Sequence, residues 1–145
     1  MVDSRIWAGA LFCTAALVLT GCAIDDSTSQ IRTFLATDSG PDDVLPTGLE
    51  DSTSDPESSR LVGEHAGVSY FVTKYVDPDS GRPGFCLVLS KPSEGAASGC
   101  ASDADATRMR VSGSGTGSAR VVVADDIIPD GWTKLGDFLI VNPET

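Results

Sequence analysis

From residue 60 onward, apolar and polar side chains alternate with the two-residue period of half-buried strands. Residues 60–65 and 68–76 flank Ala66-Gly67, which has the form of a hairpin turn. In the second of these runs Val68, Tyr70, Val72 and Val76 fall on one side, and Ser69, Phe71, Thr73 and Tyr75 on the other. Asp77-Pro78-Asp79-Ser80-Gly81 predicts a further turn, because proline fixes φ and glycine accepts positive φ. Residues 85–90 form a compact apolar run, with Phe85, Leu87 and Leu89 on one side and Cys86 and Val88 on the other, and are the best candidate for a central strand. After a small-residue loop over 95–99, strands are expected at 108–111 and 120–124 around a flexible 112–118 connection. Pro129-Asp130-Gly131 turns the chain into strands at 132–135 and 138–141. The pattern predicts a mainly β fold with about six or seven short strands in a small antiparallel sheet, a sandwich or a half-open barrel.

Ahead of residue 60 the pattern changes. Residues 22–59 are rich in Ser, Thr and Asp and broken by Gly40-Pro41, Pro46, Gly48 and Asp55-Pro56. Such a stretch buries too little apolar surface to offset its ordering entropy, so it is expected to be an acidic tether that stands the domain off from the bilayer. Its exception is a short helix predicted over 27–37, where Ile31, Phe34 and Leu35 share a face behind a cap at Asp26 or Ser27, either docking on the domain or dipping toward the membrane. Asp42, Asp43, Val44, Leu45 and Pro46 are the other candidates for order, as a cover over the sheet.

The first 21 residues carry Arg5 and then an uncharged apolar run from Ile6 to Val18. As a helix this run reaches about 20 Å, short of the ~30 Å hydrocarbon core, so it reads as a secretory signal. Directly behind it, Leu19-Thr20-Gly21-Cys22 resembles the lipobox of bacterial lipoproteins. The resemblance implies cleavage between Gly21 and Cys22 and a diacylglyceryl group on the Cys22 thiol, giving the two-chain anchoring that a single acyl chain does not provide.

Cysteine usage follows from this. Removal of residues 1–21 discards Cys13 and lipidation occupies Cys22, which leaves Cys86 and Cys100 of the four cysteines. A leftover pair in an exported domain predicts a disulfide, worth about 3 kcal/mol for a loop of this size in the chain-entropy model. The spacing is far too wide for a C-x-x-C redox centre.

The whole chain of 145 residues has a formal net charge of −11. That charge disfavours binding to nucleic acid. Within 22–60 there are nine acidic and two basic residues, and within 61–145 eleven and seven. A single histidine, His65, excludes a His-rich zinc centre. It is also the one imidazole on which a small envelope hydrolase, the alternative functional reading, would depend.

Other candidate motifs are incomplete. Asp77, Asp79 and Gly81 match part of a calcium loop, but Gly81 falls at the fifth position and Val88 occupies the twelfth, where an EF-hand needs Glu. The pairs Asp103 with Asp105 and Asp125 with Asp126 are equally partial. The glycine-rich 112–118 segment lacks both a phosphate-binding Lys and a following helix. No metal or cofactor is expected. Aromatic residues are scarce, and Tyr70, Phe71, Tyr75, Phe85, Trp132 and Phe138 are the expected large core groups, with one or two available for a recognition patch.

The blocks 59–65, 67–71 and 85–89, Gly99-Cys100 and residues 131–141 resemble small actinobacterial envelope lipoproteins. That resemblance supports the anchor and the disulfide and carries over no catalytic residue. The expectation is a non-enzymatic binding or interaction module on the extracytoplasmic face of the cell membrane. Its partners would be the membrane, through lipid on Cys22, and an envelope protein or cell-wall component. Some 85 folded residues are too few for the two lobes that a hinged substrate-binding lipoprotein needs.

Overall fold

A computed structural model describes residues 27–49 and 54–144. The predicted leader, the Leu19-Thr20-Gly21-Cys22 motif and Cys22 itself lie outside the described residues. The fold is mainly β, with eight strands in two four-stranded antiparallel sheets that do not close into a barrel, so that the domain is sandwich-like.

The first sheet is a meander. Strands β1 (Ser54–His65), β2 (Val68–Val76), β3 (Pro83–Lys91) and β4 (Gly95–Ser102) pair in sequence order. Between β1 and β2, Ala66 and Gly67 both have positive φ, 51° and 78°, as a tight two-residue hairpin turn demands. β1 is an edge strand and begins at Ser54, ahead of Arg60, where the composition changes. Its pairing with β2 is interrupted between Asp55 and Arg60, and this irregularity accommodates Pro56, which has no N–H to give to a ladder. There the Ser58 hydroxyl substitutes for backbone by accepting from the Lys74 N–H at 2.7 Å.

Residues 95–99, expected as a loop, instead belong to β4 and pair with β3 in continuous register. Small side chains conceal this strand from an apolar pattern but allow the second sheet to come close. A Cβ on Gly99 would lie 2.9 Å from Val111, and one on Gly113 would lie 2.6 Å from the Ala97 side chain. Within the same register Cys86 stands directly opposite Cys100, and the two form a disulfide.

A 3-10 helix (Asp103–Arg108) leads into the second sheet, made of β5 (Arg110–Gly113), β6 (Gly117–Val121), β7 (Thr133–Leu135) and β8 (Leu139–Asn142) in the order β5-β6-β8-β7. The 112–118 segment, expected to be a flexible connection, is instead a tight hairpin. Ser112 and Ser118 are cross-strand partners, Thr116 is fully buried, and Gly115 and Gly117 take positive φ.

Between the sheets, Tyr70, Val72, Phe85, Leu87 and Leu89 meet Val111, Ala119, Val121, Leu139 and Val141. Helix α1 (Ser27–Leu35) inserts Ile31 and Leu35 into this same core, and Phe34 packs edge-on against Phe138 with ring centroids 5.5 Å apart. Leu45 covers the opposite face of the first sheet, against Phe71 and Val88. Residues 27–49 are therefore packed against the sheets. Among the expected core aromatics, Tyr70, Phe71, Phe85 and Phe138 are buried, whereas Tyr75 and Trp132 are only half-buried.

Candidate functional site

Alternation along β5, β6 and β8 sends Val111, Ala119 and Val141 inward and Arg110, Arg120 and Ile140 outward. Arg110 stands directly opposite Arg120, Arg120 opposite Ile140, and Ile140 opposite Lys134 of β7. One line across the outer face of the second sheet thus carries two guanidiniums, a buried isoleucine and an ammonium. Like charges directly opposite each other on neighbouring strands repel.

Trp132 answers part of that repulsion. The turn 129–132 closes through a hydrogen bond from the Trp132 N–H to the Pro129 carbonyl and brings the indole onto this face. The Arg110 and Arg120 guanidinium carbons lie 5.6 and 5.9 Å from the ring centroid, within cation–π range. No carboxylate among the described residues forms an ion pair with Arg110, Arg120 or Lys134, although the chain as a whole has 21 acidic residues. In addition, the Nε of Arg120 is buried without a hydrogen-bond acceptor. The arrangement is a cationic, aromatic surface that forms no ion pair among the described residues, suited to a partner bearing carboxylate or phosphate oxygens.

Of the other basic side chains among the described residues, Lys74, Arg82 and Arg108 likewise form no ion pair, whereas three do. Arg32 pairs with Asp103, Arg60 approaches Asp43 at 4.0 Å, and Lys91 pairs with Glu94 at 2.9 Å. Neither Arg110 nor Arg120 stood out in the sequence as a candidate. Their signal was the alternation of β5 and β6, which places both outward, and it became informative only once the register set them opposite each other.

The sequence candidates are distributed as follows. His65 ends β1 at the hairpin tip, half-buried, and its imidazole makes no hydrogen bond to a serine or a carboxylate among the described residues. The neighbouring Ser69 hydroxyl donates instead to Glu64, at 2.8 Å. At the other hairpin, Asp77 Oδ1 accepts from the Asp79 and Ser80 N–H groups and from the Ser80 hydroxyl. These Ser80 bonds, with Asp79 and Arg82 adding to them, hold the Asp77 carboxyl below the ordinary carboxylate range. The motif is a turn cap. No group of three or more His, Cys, Asp or Glu side chains able to hold a metal ion occurs among the described residues, nor does a helix long and apolar enough to cross a membrane.

Two of the clefts among the described residues flank α1. The larger, about 440 Å³, runs between α1 and the β7–β8 turn and is lined by Thr33, Phe34, Val62 and Phe138. The other, about 340 Å³, runs between Leu35 and Phe85 beside Arg32 and Asp103. Both are shallow seams where the helix rests on the sheets.

In comparisons with protein families, with curated proteins and with solved structures, nothing matches this chain.

Proposed function

We propose that the chain is an envelope lipoprotein, held at the extracytoplasmic face of the cell membrane by lipid on Cys22, and that its β domain is a non-enzymatic binding module for an envelope protein or cell-wall component. The Leu19-Thr20-Gly21-Cys22 motif behind an apolar run too short to span a bilayer carries the anchor. The Arg110–Trp132–Arg120 face, whose guanidiniums form no ion pair among the described residues, supports the binding role. The disulfide between Cys86 and Cys100 fits an oxidising compartment.

The packing of residues from Ser27 onward bears on how the domain is held. A fully extended chain from Cys22 to Ser27 reaches at most about 18 Å. On this reading the domain sits close to the bilayer surface, rather than at the end of a spacer reaching to residue 59.

Intact mass and cell fractionation test the anchor. The expected product lacks residues 1–21, carries a diacylglycerol-sized addition on Cys22 and partitions with membranes, and Cys22→Ala releases it. A membrane-bound product with an unmodified Cys22 thiol and an intact Met1 overturns the anchor. The binding role is tested by crosslinking in cells, where Trp132→Ala should abolish the crosslink while leaving fractionation unchanged. A crosslink insensitive to Trp132→Ala places binding elsewhere.

A further inference from the structure

The Arg110, Trp132, Arg120 and Lys134 face has a shape as well as a charge. Neighbouring strands are about 4.8 Å apart, so Arg110 and Arg120 are separated by one such step and Arg120 and Lys134 by two. The Cα positions of the three cations therefore span about 14 Å perpendicular to the strands, with the fully buried Ile140 between Arg120 and Lys134 and the indole against the two guanidiniums. A compact anion would engage only one end of this line. A polymer with an anionic group on successive units would engage all of it, and its ring faces would meet the indole.

We propose that this face binds an acidic polysaccharide, with its carboxylates on the two guanidiniums and Lys134 and a sugar ring against Trp132. The proposal deepens the binding-module reading by naming the ligand class. Charge complementarity carries it: these three cations share one face with Trp132 and form no ion pair with a carboxylate among the described residues. Arg is suited to the role because its planar fork matches a carboxylate in two-point contact.

The test exploits tryptophan scarcity. The chain has two tryptophans, Trp7 and Trp132, so the full chain carrying Trp7→Phe reports on Trp132 alone. Titration with polygalacturonate should change its emission saturably, and the affinity should fall as salt is raised. Arg110→Gln with Lys134→Gln, both at exposed positions, should weaken binding about tenfold or more, whereas Lys74→Gln with Arg82→Gln, which removes the same charge elsewhere, should change it less than about twofold. Arg120 is left intact because it is half-buried, and thermal melts confirm that each variant folds.

Equal losses from the two double variants, or equal binding of fully methyl-esterified polygalacturonate, overturn the proposal. So does the absence of saturable binding. Tighter binding of poly-glutamate would assign the face to an acidic protein, and tighter binding of inorganic polyphosphate would assign it to phosphate; either result also overturns it. None of these outcomes alters the mass of the Cys22-modified chain, so failure here is distinct from failure of the anchor.

Discussion

Tyr70 is fully buried in the core, and its hydroxyl has no hydrogen-bond partner. A buried hydroxyl without a partner costs about 1–3 kcal/mol relative to a satisfied one. Tyr70→Phe removes that oxygen and leaves the ring packing in place, so a gain on the order of 1 kcal/mol is expected, seen as a melting temperature several degrees higher. Loss of stability on this substitution would show that the oxygen is satisfied in solution. Burial also raises the Tyr70 pKa above the ordinary phenol value of about 10. The unfolded chain then releases this proton first as pH rises. Stability should therefore be insensitive to Tyr70 below that value and decline above it, and the decline should be weaker in Tyr70→Phe.

At the scale of elements, two segments ahead of the composition boundary are held by different forces. Helix α1 is anchored by Ile31, which is fully buried, and by an ion pair between Arg32 and Asp103 in which the Arg32 side chain is 62% exposed. Burial outweighs an exposed ion pair, so Ile31→Ala should cost about 2–5 kcal/mol and Arg32→Ala less than about 1 kcal/mol in chemical denaturation. Comparable losses would contradict this packing. Residues 40–49 combine the burial of Leu45 against Phe71 and Val88 with polar clamps. Asp43 accepts from the Leu61 and Gly40 N–H groups, each at 2.7 Å, while Arg60 donates to the Thr37 carbonyl at 2.6 and 3.0 Å.

Burial alone would raise the Asp43 pKa, but the Gly40 and Leu61 N–H groups and the Arg60 charge together leave it below the ordinary value. Because the folded pKa is depressed, the clamp contributes in full above the unfolded carboxylate value of about 3.9. That contribution declines as pH falls through the unfolded value and is gone once the folded carboxyl is itself protonated. Limited proteolysis of residues 40–49 should accelerate over that window. Asp43→Ala should bring the same sensitivity to neutral pH, at a cost of about 1.5–3 kcal/mol.

For the molecule as a whole, the disulfide between Cys86 and Cys100 is a covalent constraint across the first sheet. Replacing Cys86 and Cys100 together with Ser should lower stability by about 3 kcal/mol, readable as a shift in denaturation midpoint. A midpoint unchanged between oxidised and reduced protein would mean that the ladder between β3 and β4 already supplies the constraint.

The alternation of residues 68–76 and 85–90 and the hairpin at Ala66-Gly67 made the core of the first sheet legible in sequence, and the cysteine arithmetic found the Cys86–Cys100 pair. Strand β4 was illegible because its side chains, Gly95 to Ser102, are too small to show a hydrophobic period; backbone pairing and proximity to β5 define it instead. The cover by residues 42–46 was a candidate in the sequence and Leu45 provides it, but the clamp was hidden because a single carboxylate, Asp43, gathers N–H groups from Gly40 and from the distant Leu61. The Arg110–Trp132–Arg120 face required the register of β5 on β6, which no local pattern specifies.

The strand order of the second sheet also bears on the route by which the chain folds. The first sheet pairs only sequence neighbours and needs nothing beyond Ser102, so its loops close cheaply and early. In the second, β8 lies between β6 and β7 although it follows both along the chain. As the chain emerges N-terminus first, β5 and β6 can form a hairpin, but β7 has no neighbour until residues 139–142 arrive. The inward face of the first sheet, with Leu87 and Leu89 at its centre, stays uncovered on that side during the interval. Transiently exposed apolar sheet of this kind is where aggregation begins. The period before β8 docks is therefore the chain's most vulnerable moment, and the rate of that final insertion, rather than the finished fold's stability, governs how much of it is lost.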